Sequence, residues 1–143
     1  AENVAAAYGD LKQRLGPRVI VMPMAGEGVE LSFGMTRDDQ FGPIVMVGAG
    51  GVLIEMLRDR RFALPAFGPE EAMRHLNALA LRPLLDGKRG AAPADLASLA
   101  QALSRFSVLA ADLGDLIAEM DVNPLIAGPN GCVALDALIV PRS

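Results

Sequence analysis

The sequence is poor in the residues that most often carry redox and cofactor chemistry. Its 143 residues include one cysteine, one histidine, no tryptophan and only two lysines. The single Cys132 excludes an internal disulfide and suits a reducing compartment, so we expect a cytoplasmic protein. A lone histidine, His75, leaves no partner for a zinc cluster, and we expect it at the surface or half-buried on a helix. The two lysines provide few candidates for the phosphate contact that nucleotide sites commonly use.

Long apolar runs and excess positive charge are also missing. No apolar run of roughly eighteen residues occurs and no leader pattern opens the chain, which predicts a soluble protein with no membrane partner. The net charge of −4 argues against a nucleic-acid partner. Hydrophobic residues make up 52% of the chain, enough for one core, so we expect a single domain over residues 1–143. The chain begins without methionine and directly in a helical pattern, and we expect a fragment of a longer polypeptide.

The spacing of apolar residues predicts an α+β fold in which helices cover one face of a mostly antiparallel sheet. A helix is expected near the N-terminus and two more after Pro69 and Pro93, where proline suits a first helical turn. The predicted strands cover residues 18–24, 29–36, 43–47, 121–127 and 132–140, and the first three form a meander. The stretch 52–67 is ambiguous and is compatible with a strand. Its charged residues 58–61 indicate a solvated turn, and the alternative is an anion site.

The strand predicted at residues 29–36 alternates in polarity. Its odd-numbered residues from Val29 to Met35 are apolar, whereas Glu30, Ser32 and Gly34 occupy the even positions. Alternation with a period of two is typical of a half-exposed strand. Glu30 therefore either marks the exposed face of this strand or belongs to a binding site.

Turn-forming residues separate the last two predicted strands. The segment 128–131 has the sequence Gly-Pro-Asn-Gly, which favours a tight turn. If the turn centres on residues 129 and 130, Gly128 pairs with Gly131. Counting outward from that pair then places Asn123 directly opposite Asp136.

This register would gather three carboxylates and one amide on one face of the hairpin. Because side chains alternate faces, Glu119, Asp121 and Asn123 share the face of Asp136, while the apolar residues 122, 135, 137 and 139 point the other way. Carboxylates at this spacing repel one another unless a cation lies among them, and oxygen-only ligands favour magnesium. The alternative is a polar, solvated hairpin face, because one residue more or less in the loop would reverse the register.

The glycine run at residues 48–51 is a second candidate site. The backbone N–H groups of Gly48, Gly50 and Gly51 are suited to an anion; the alternative is a tight bend between strands. Neither standard nucleotide motif is present, because Leu53 replaces the third glycine of the dinucleotide fingerprint and no serine or threonine follows Lys88. No Gly-x-Ser-x-Gly nucleophile elbow occurs either.

Several short motifs, taken in their order and spacing, point to one family. The motif residues are Gly28-Val29-Glu30, Arg37-Asp38, Phe41-Gly42-Pro43, the glycine run with Glu55, Leu57 and Asp59, Pro83-Leu84-Leu85 with Gly87, Arg89 and Gly90, Glu119 with Asp121-Val122-Asn123-Pro124-Leu125, and Ala134 with Asp136-Ala137. Together they resemble the nucleoside-diphosphate-forming acyl-CoA synthetases, relatives of the succinyl-CoA synthetase β subunit. The resemblance covers nearly the whole chain and matches the C-terminal portion of the ATP-grasp domain.

The resemblance implies an ADP-forming acid–thiol ligase that uses Mg²⁺ and ATP or ADP. In such enzymes an acyl-CoA and phosphate react on a separate CoA-binding region, and the phosphoryl group passes through a histidine to ADP. Asn123 and Asp136 then correspond to magnesium ligands, and Asp121 to a catalytic acid near the phosphohistidine. The glycine run would face the transferring phosphoryl group, with Glu30 a further candidate for nucleotide binding.

The family's N-terminal ATP-grasp subdomain, which supplies a lysine and the adenine pocket, has no counterpart in these residues, and His75 does not match the phosphorylated histidine. We therefore expect that subdomain, the CoA-binding region and an acyl-CoA or carboxylate as partners, and negligible activity from the isolated chain. Two alternatives remain. One is a non-catalytic regulatory module of a larger acyltransferase-type fusion, and the other is an ATP-grasp ligase that joins a carboxylate to an amine.

Overall fold

The computed structural model describes residues 2–20, 22–51, 58–87 and 91–142. Within these ranges one antiparallel sheet contains the strands β1 (Val29–Asp38), β2 (Gly42–Ala49), β3 (Arg60–Ala63), β4 (Ile117–Gly128), β5 (Gly131–Ala134) and β6 (Ala137–Pro141). The helices are α1 (Glu2–Leu15), α2 (Pro69–Asn77), α3 (Arg82–Leu85) and α4 (Leu96–Leu113). The strands are ordered β3-β2-β1-β4-β5, and β6 also pairs with β4. The predicted α+β class is confirmed.

The core lies between one face of this sheet and the helices that follow β3. Leu31 and Phe33 of β1 are almost fully buried, as are Leu99 and Leu103 of α4. The ring of Phe33 lies 5.7 Å from that of Phe106, measured between centroids. The opposite face, called the open face below, is formed by the even-numbered residues of β1 to β3 together with Glu119 and Asp121 of β4.

Strand β1 confirms the predicted core face and corrects the prediction for the other face. Ser32, expected in solvent, is only 3% exposed, and its hydroxyl donates to the Ala49 carbonyl oxygen at 2.9 Å. Gly34 is also buried, because Met46 of the neighbouring strand lies over it, with its Cε 3.0 Å from the position that a Cβ would occupy. The residues in the middle of the open face are therefore closely packed, and few side chains project from it.

The two main helices begin close to their predicted positions. Helix α2 begins at Pro69, with two glutamates in its first turn, where acidic side chains favour the positive end of the helix dipole. Helix α4 begins at Leu96 rather than at Pro93, because the Asp95 carboxylate caps it by accepting the N–H of Ser98 at 3.0 Å.

The N-terminal segment differs most from its prediction. Helix α1 is present, but its apolar residues Val4 and Leu15 are exposed. The strand predicted at residues 18–24 is wrong, since the described residues there form no strand, and Ile20 and Met24 are 83% and 96% exposed. A β-rich pattern alone does not produce a strand when no neighbouring strand pairs with it. The predicted meander of three consecutive strands is accordingly reduced to the β1–β2 hairpin, with β3 added beyond it.

The C-terminal hairpin has the predicted register. Gly128 pairs with Gly131, and the Asn123 N–H donates to the Asp136 carbonyl oxygen at 3.2 Å. Strand β6 continues the same register along β4. Its residues are exposed throughout, so the residues predicted to point away from the acidic face, such as Ile139 at 54% exposure, do not enter the core.

The charged turn predicted at residues 58–61 is wrong in part. Strand β3 already begins at Arg60, and Asp59 is buried, with its carboxylate accepting the Leu81 N–H at 2.9 Å. Residues 52–57 and 88–90 lie outside the described residues, and with them the predictions on Leu53, Glu55, Leu57, Lys88, Arg89 and Gly90. None of the described helices has the length and hydropathy needed to cross a membrane.

Candidate functional site

The predicted site residues come together where β1, β4 and the end of β2 meet. The Asn123 side chain, through its Oδ1 atom, accepts the N–H of Gly51 at 3.2 Å. Gly51 has a φ of +53° and lies so close to the Glu30 carboxylate that a Cβ would overlap it. The positive φ therefore favours glycine at this position, and any other residue would also displace the Glu30 carboxylate. The contacts place Asn123, Gly51 and Glu30 in one site, although they are far apart in the sequence.

The backbone of the glycine run is held by protein acceptors. The N–H of Ala49 donates to the Asp59 carbonyl oxygen at 3.1 Å, and the N–H of Gly50 donates to the Glu30 carbonyl oxygen at 2.9 Å. The first two of these bonds continue the pairing of β2 with β3 and with β1, so the run extends the strand as far as Gly50, and the bond from Gly51 ties its end to β4. The N–H groups of Gly50 and Gly51 are thus engaged within the chain, and a role of the glycine run toward a phosphoryl group stays a prediction.

The carboxylates of the hairpin influence one another, as their shared face predicts. Burial raises the pKa of Asp121 above its usual value, and the negative charges of Glu119 and Asp136 raise it further. The described residues nevertheless contain no group of three His, Cys, Asp or Glu side chains close enough to hold a metal ion by themselves. A cation at this hairpin would thus rely on few protein ligands and on phosphate oxygens.

Asn123 and Asp136 fit the ligand set that magnesium prefers. They lie opposite each other across the hairpin, and both can coordinate a cation through side-chain oxygen atoms. The Asn123 oxygen accepts one hydrogen bond, which leaves it a second lone pair. The Asp136 carboxylate uses Oδ1 to accept the Ala137 N–H at 2.8 Å, which leaves Oδ2 for another partner. Both side chains therefore keep acceptor capacity for a hard cation.

The raised pKa of Asp121 predicts that its ionised form destabilises the fold at neutral pH. This cost is absent below the usual aspartate pKa of 3.8, grows as the pH rises from there to the higher pKa of the folded state, and is fully present above it. We expect Asp121→Asn to increase the free energy of unfolding at neutral pH and to have no such effect below 3.8. Urea unfolding across this pH range measures the difference, with Asp112→Asn on the exposed surface of α4 as the control. Equal stability of parent and variant at neutral pH would contradict the prediction.

Two other titratable side chains, those of His75 and Cys132, are partly buried and have shifted pKa values. His75 is half-buried, as predicted, and its ring packs on Phe67 with centroids 5.4 Å apart. Burial lowers the pKa of His75, as do the charges of Arg74 and Arg61. Burial raises the pKa of the Cys132 thiol, which suits a structural residue rather than a nucleophile.

Two residues that line the open face were not among the candidate site residues predicted from the sequence. Arg60 and Phe62 of β3 border a shallow depression of about 150 Å³ that also contacts Gly34, Met46 and Asp121. Arg60 lies within an arginine-rich stretch that suggested a solvated turn. The aromatic residue Phe62 was the feature of the sequence that could have indicated this surface, and its side chain is 61% exposed in the structure.

Comparison with known proteins identifies the fold. The family model that describes an ATP-grasp domain matches residues 1–140. The chain belongs to the ATP-grasp domain family. It is 36% identical to the β subunit of ADP-forming acetate–CoA ligase II from Pyrococcus furiosus, over 85% of this chain and 52% of that protein. It is 34% identical to the ADP-forming 4-hydroxybutyrate–CoA ligase of Nitrosopumilus maritimus, over 85% of this chain and 18% of that protein.

Solved structures support the same relationship for this ATP-grasp chain. A dinucleotide-forming acetyl-coenzyme A synthetase from Ca. Korarchaeum cryptofilum matches with a TM-score of 0.87 and 38% identity, covering 99% of this chain and 64% of the other. That protein was solved with coenzyme A and Mg-AMPPCP, with its phosphohistidine segment pointing towards the nucleotide binding site. The ATP-grasp fold expected from the sequence is confirmed. The chain spans about half the length of the Pyrococcus β subunit.

Proposed function

We propose that this chain is the C-terminal portion of a longer ATP-grasp module, the nucleotide- and magnesium-binding part of an ADP-forming acyl-CoA synthetase. The observation that carries the proposal is the pairing of Asn123 with Asp136 beside Glu30 and Gly51. The similarity to ADP-forming ligases supports it. The finer roles of the site residues follow from their chemistry.

The reaction is a reversible transfer of a phosphoryl group between histidine and ADP. An acyl-CoA and phosphate first react on a CoA-binding region, where the thioester C–S bond breaks and CoA leaves as the acyl phosphate forms. The acyl phosphate then passes its phosphoryl group to a histidine and releases the free carboxylate. The N–P bond of this phosphohistidine then breaks while a terminal phosphate oxygen of ADP forms a new P–O bond, which yields ATP and unmodified histidine. Phosphoryl transfer of this kind depends on positioning and charge neutralisation.

Each site residue has a distinct task in this proposal. Asn123 and Asp136 would hold magnesium, which would neutralise charge on the phosphate oxygens. Asp121 accepts a hydrogen bond from the N–H of the incoming imidazole and orients the ring. Gly50 and Gly51 allow the backbone to pass close to β1 and β4, so that Glu30 and Asn123 lie next to each other beside the nucleotide.

The complete enzyme tests the proposal. Full-length protein, supplied with acetyl-CoA, radiolabelled phosphate, ADP and magnesium, should form ATP and an acid-labile phosphohistidine. The isolated 143-residue chain should form neither, because it lacks the subdomain expected to supply the lysine and adenine pocket. Acyl-CoA synthesis by the isolated chain would contradict the proposal that it holds only part of the nucleotide site. ATP-dependent joining of a carboxylate to an amine without phosphohistidine would favour the other ligase class, and nucleotide binding with no turnover would favour a regulatory module.

A further inference from the structure

The open face contains a row of residues that crosses four strands. Phe62 pairs with Met46, Met46 with Gly34, and Gly34 with Asp121, and residues directly opposite in a sheet lie on the same face. Because neighbouring strands are about 4.8 Å apart, Phe62 and Asp121 are separated by about 14 Å. Gly34 and Met46 form the floor between them, and all four residues border the depression on the open face.

A second, adjacent row leads from β3 to the candidate magnesium ligands. Arg60 pairs with Gly48, which pairs with Ser32, and Ser32 lies at the register shift where β4 places Asn123. The Arg60 side chain leans over this floor, since its Cγ is 3.2 Å from the position of a Cβ on Gly48. The row has a guanidinium at one end and the Asn123 amide at the other, with small side chains between them.

The charges on the two sides of the depression are opposite. Arg60 lies on one side, and Glu119 and Asp121 lie on the other. The charges that raise the Asp121 pKa come from Glu119 and Asp136. A ligand that fits between these sides needs an anionic group for Arg60, an N–H donor for Asp121 and a flat or apolar part for Phe62. A phosphorylated imidazole on a peptide segment has all three features.

We infer that Arg60 and Phe62 form a docking wall that receives the histidine-bearing segment and positions it against Asp121. The inference rests on the proposed function and adds the surface that recognises the partner. Phe62 packs against the imidazole and its flanking residues, and Arg60 contacts the phosphoryl oxygens while the group is still attached to histidine. Both are positioning residues. The exposed Leu138, which pairs with Asp121 on its other side, extends the apolar surface beyond the acids.

The experiment separates the two half-reactions in the complete enzyme. Phe62→Ala and Arg60→Gln should each slow phosphoryl transfer from phosphohistidine to ADP by at least about 10-fold, as expected for aromatic and arginine anchors of an interface. Formation of phosphohistidine from acetyl-CoA and phosphate, and the affinity for Mg-ADP, should not change. Matched controls are Phe41→Ala, similarly exposed at 64% in the β1–β2 turn, and Arg105→Gln on the exposed surface of α4.

The outcomes distinguish the docking wall from the proposed function. If the unaltered enzyme forms no phosphohistidine, the proposed function fails. If phosphohistidine forms but its transfer to ADP proceeds at the parent rate in both variants, the docking wall is wrong. A loss of Mg-ADP affinity that accounts for the slower transfer would also overturn the inference, because the two residues would then belong to the nucleotide site. Unchanged thermal unfolding of the variants ensures that the rates report docking.

Discussion

Replacing Asp136 with asparagine in the complete enzyme should lower the rate of ATP formation by roughly 100-fold or more, since loss of even an outer-shell partner of a metal costs about 10- to 100-fold. The substitution removes one negative charge and leaves an amide, a weaker ligand for a hard cation. The fold should be unaffected. Asp136 is exposed, and its one described side-chain bond, from the Ala137 N–H to Oδ1, can be kept by the asparagine oxygen.

The measurement is the initial rate of ATP formation over a series of magnesium concentrations, together with thermal unfolding. Asp112→Asn on α4 removes the same charge from an exposed position outside the site and should behave like the parent. Partial recovery of Asp136→Asn at high magnesium would support a role in binding the cation. A variant that turns over at the parent rate would remove Asp136 from the mechanism and leave the hairpin as a solvated polar surface.

Gly50→Ala should destabilise the protein by about 3 kcal/mol, at the upper end of the usual cost of overpacking. A Cβ at this position would overlap the backbone carbonyl group of Leu31, and backbone atoms of a central strand cannot move aside as a flexible side chain can. The end of β2 would have to move away from β1, which also breaks the bond from the Gly50 N–H to the Glu30 carbonyl oxygen. Because Gly51 follows directly, its contact with Asn123 would be lost, and nucleotide turnover should fall with stability.

Chemical unfolding of parent and variant checks this expectation, and Gly26→Ala is the matched control. No atom lies within 4 Å of the position of a Cβ on Gly26, so the same substitution there should be close to neutral. If Gly50→Ala is as stable as Gly26→Ala, Gly50 does not approach the backbone of β1 as closely as the contacts indicate. If it loses stability but keeps full turnover in the folded protein, the glycine run holds the fold and contributes nothing to the nucleotide site.

The parts of the site that depend on local sequence were predictable. The register of the C-terminal hairpin followed from a four-residue turn, because pairing in a hairpin propagates outward from its turn, and this placed Asn123 opposite Asp136. The core face of β1 followed from the alternation of its side chains. In both cases the information lies within a few residues of the feature that it determines.

The remaining parts depend on contacts between distant residues. Ser32 was expected in solvent because alternation describes one strand at a time, whereas in the structure it is buried and its hydroxyl bonds to Ala49 of the neighbouring strand β2. Residues 18–24 have β-forming side chains but no neighbouring strand in the described part of the chain. The link between Gly51 and Asn123 spans 72 positions and could not be read from either segment alone. Arg60 and Phe62 became visible as one surface only when pairing with Met46 and Gly48 aligned them across the sheet.

An irregularity in β4 limits how the site could be transplanted. Met120 and Leu125 are both buried, at 3% and 4% exposure, although a regular strand would turn residues five apart to opposite faces. The change occurs where the pairing with β1 shifts between Leu31 and Phe33, as in a β-bulge. A designer who grafts only β4 with β5 and β6 onto an ideal ribbon would reproduce the pairing of residues 123 and 136 and lose the offset that brings the amide to Gly51. A minimal mimic of the candidate cation site would therefore have to include β1 and the glycine run at residues 48–51.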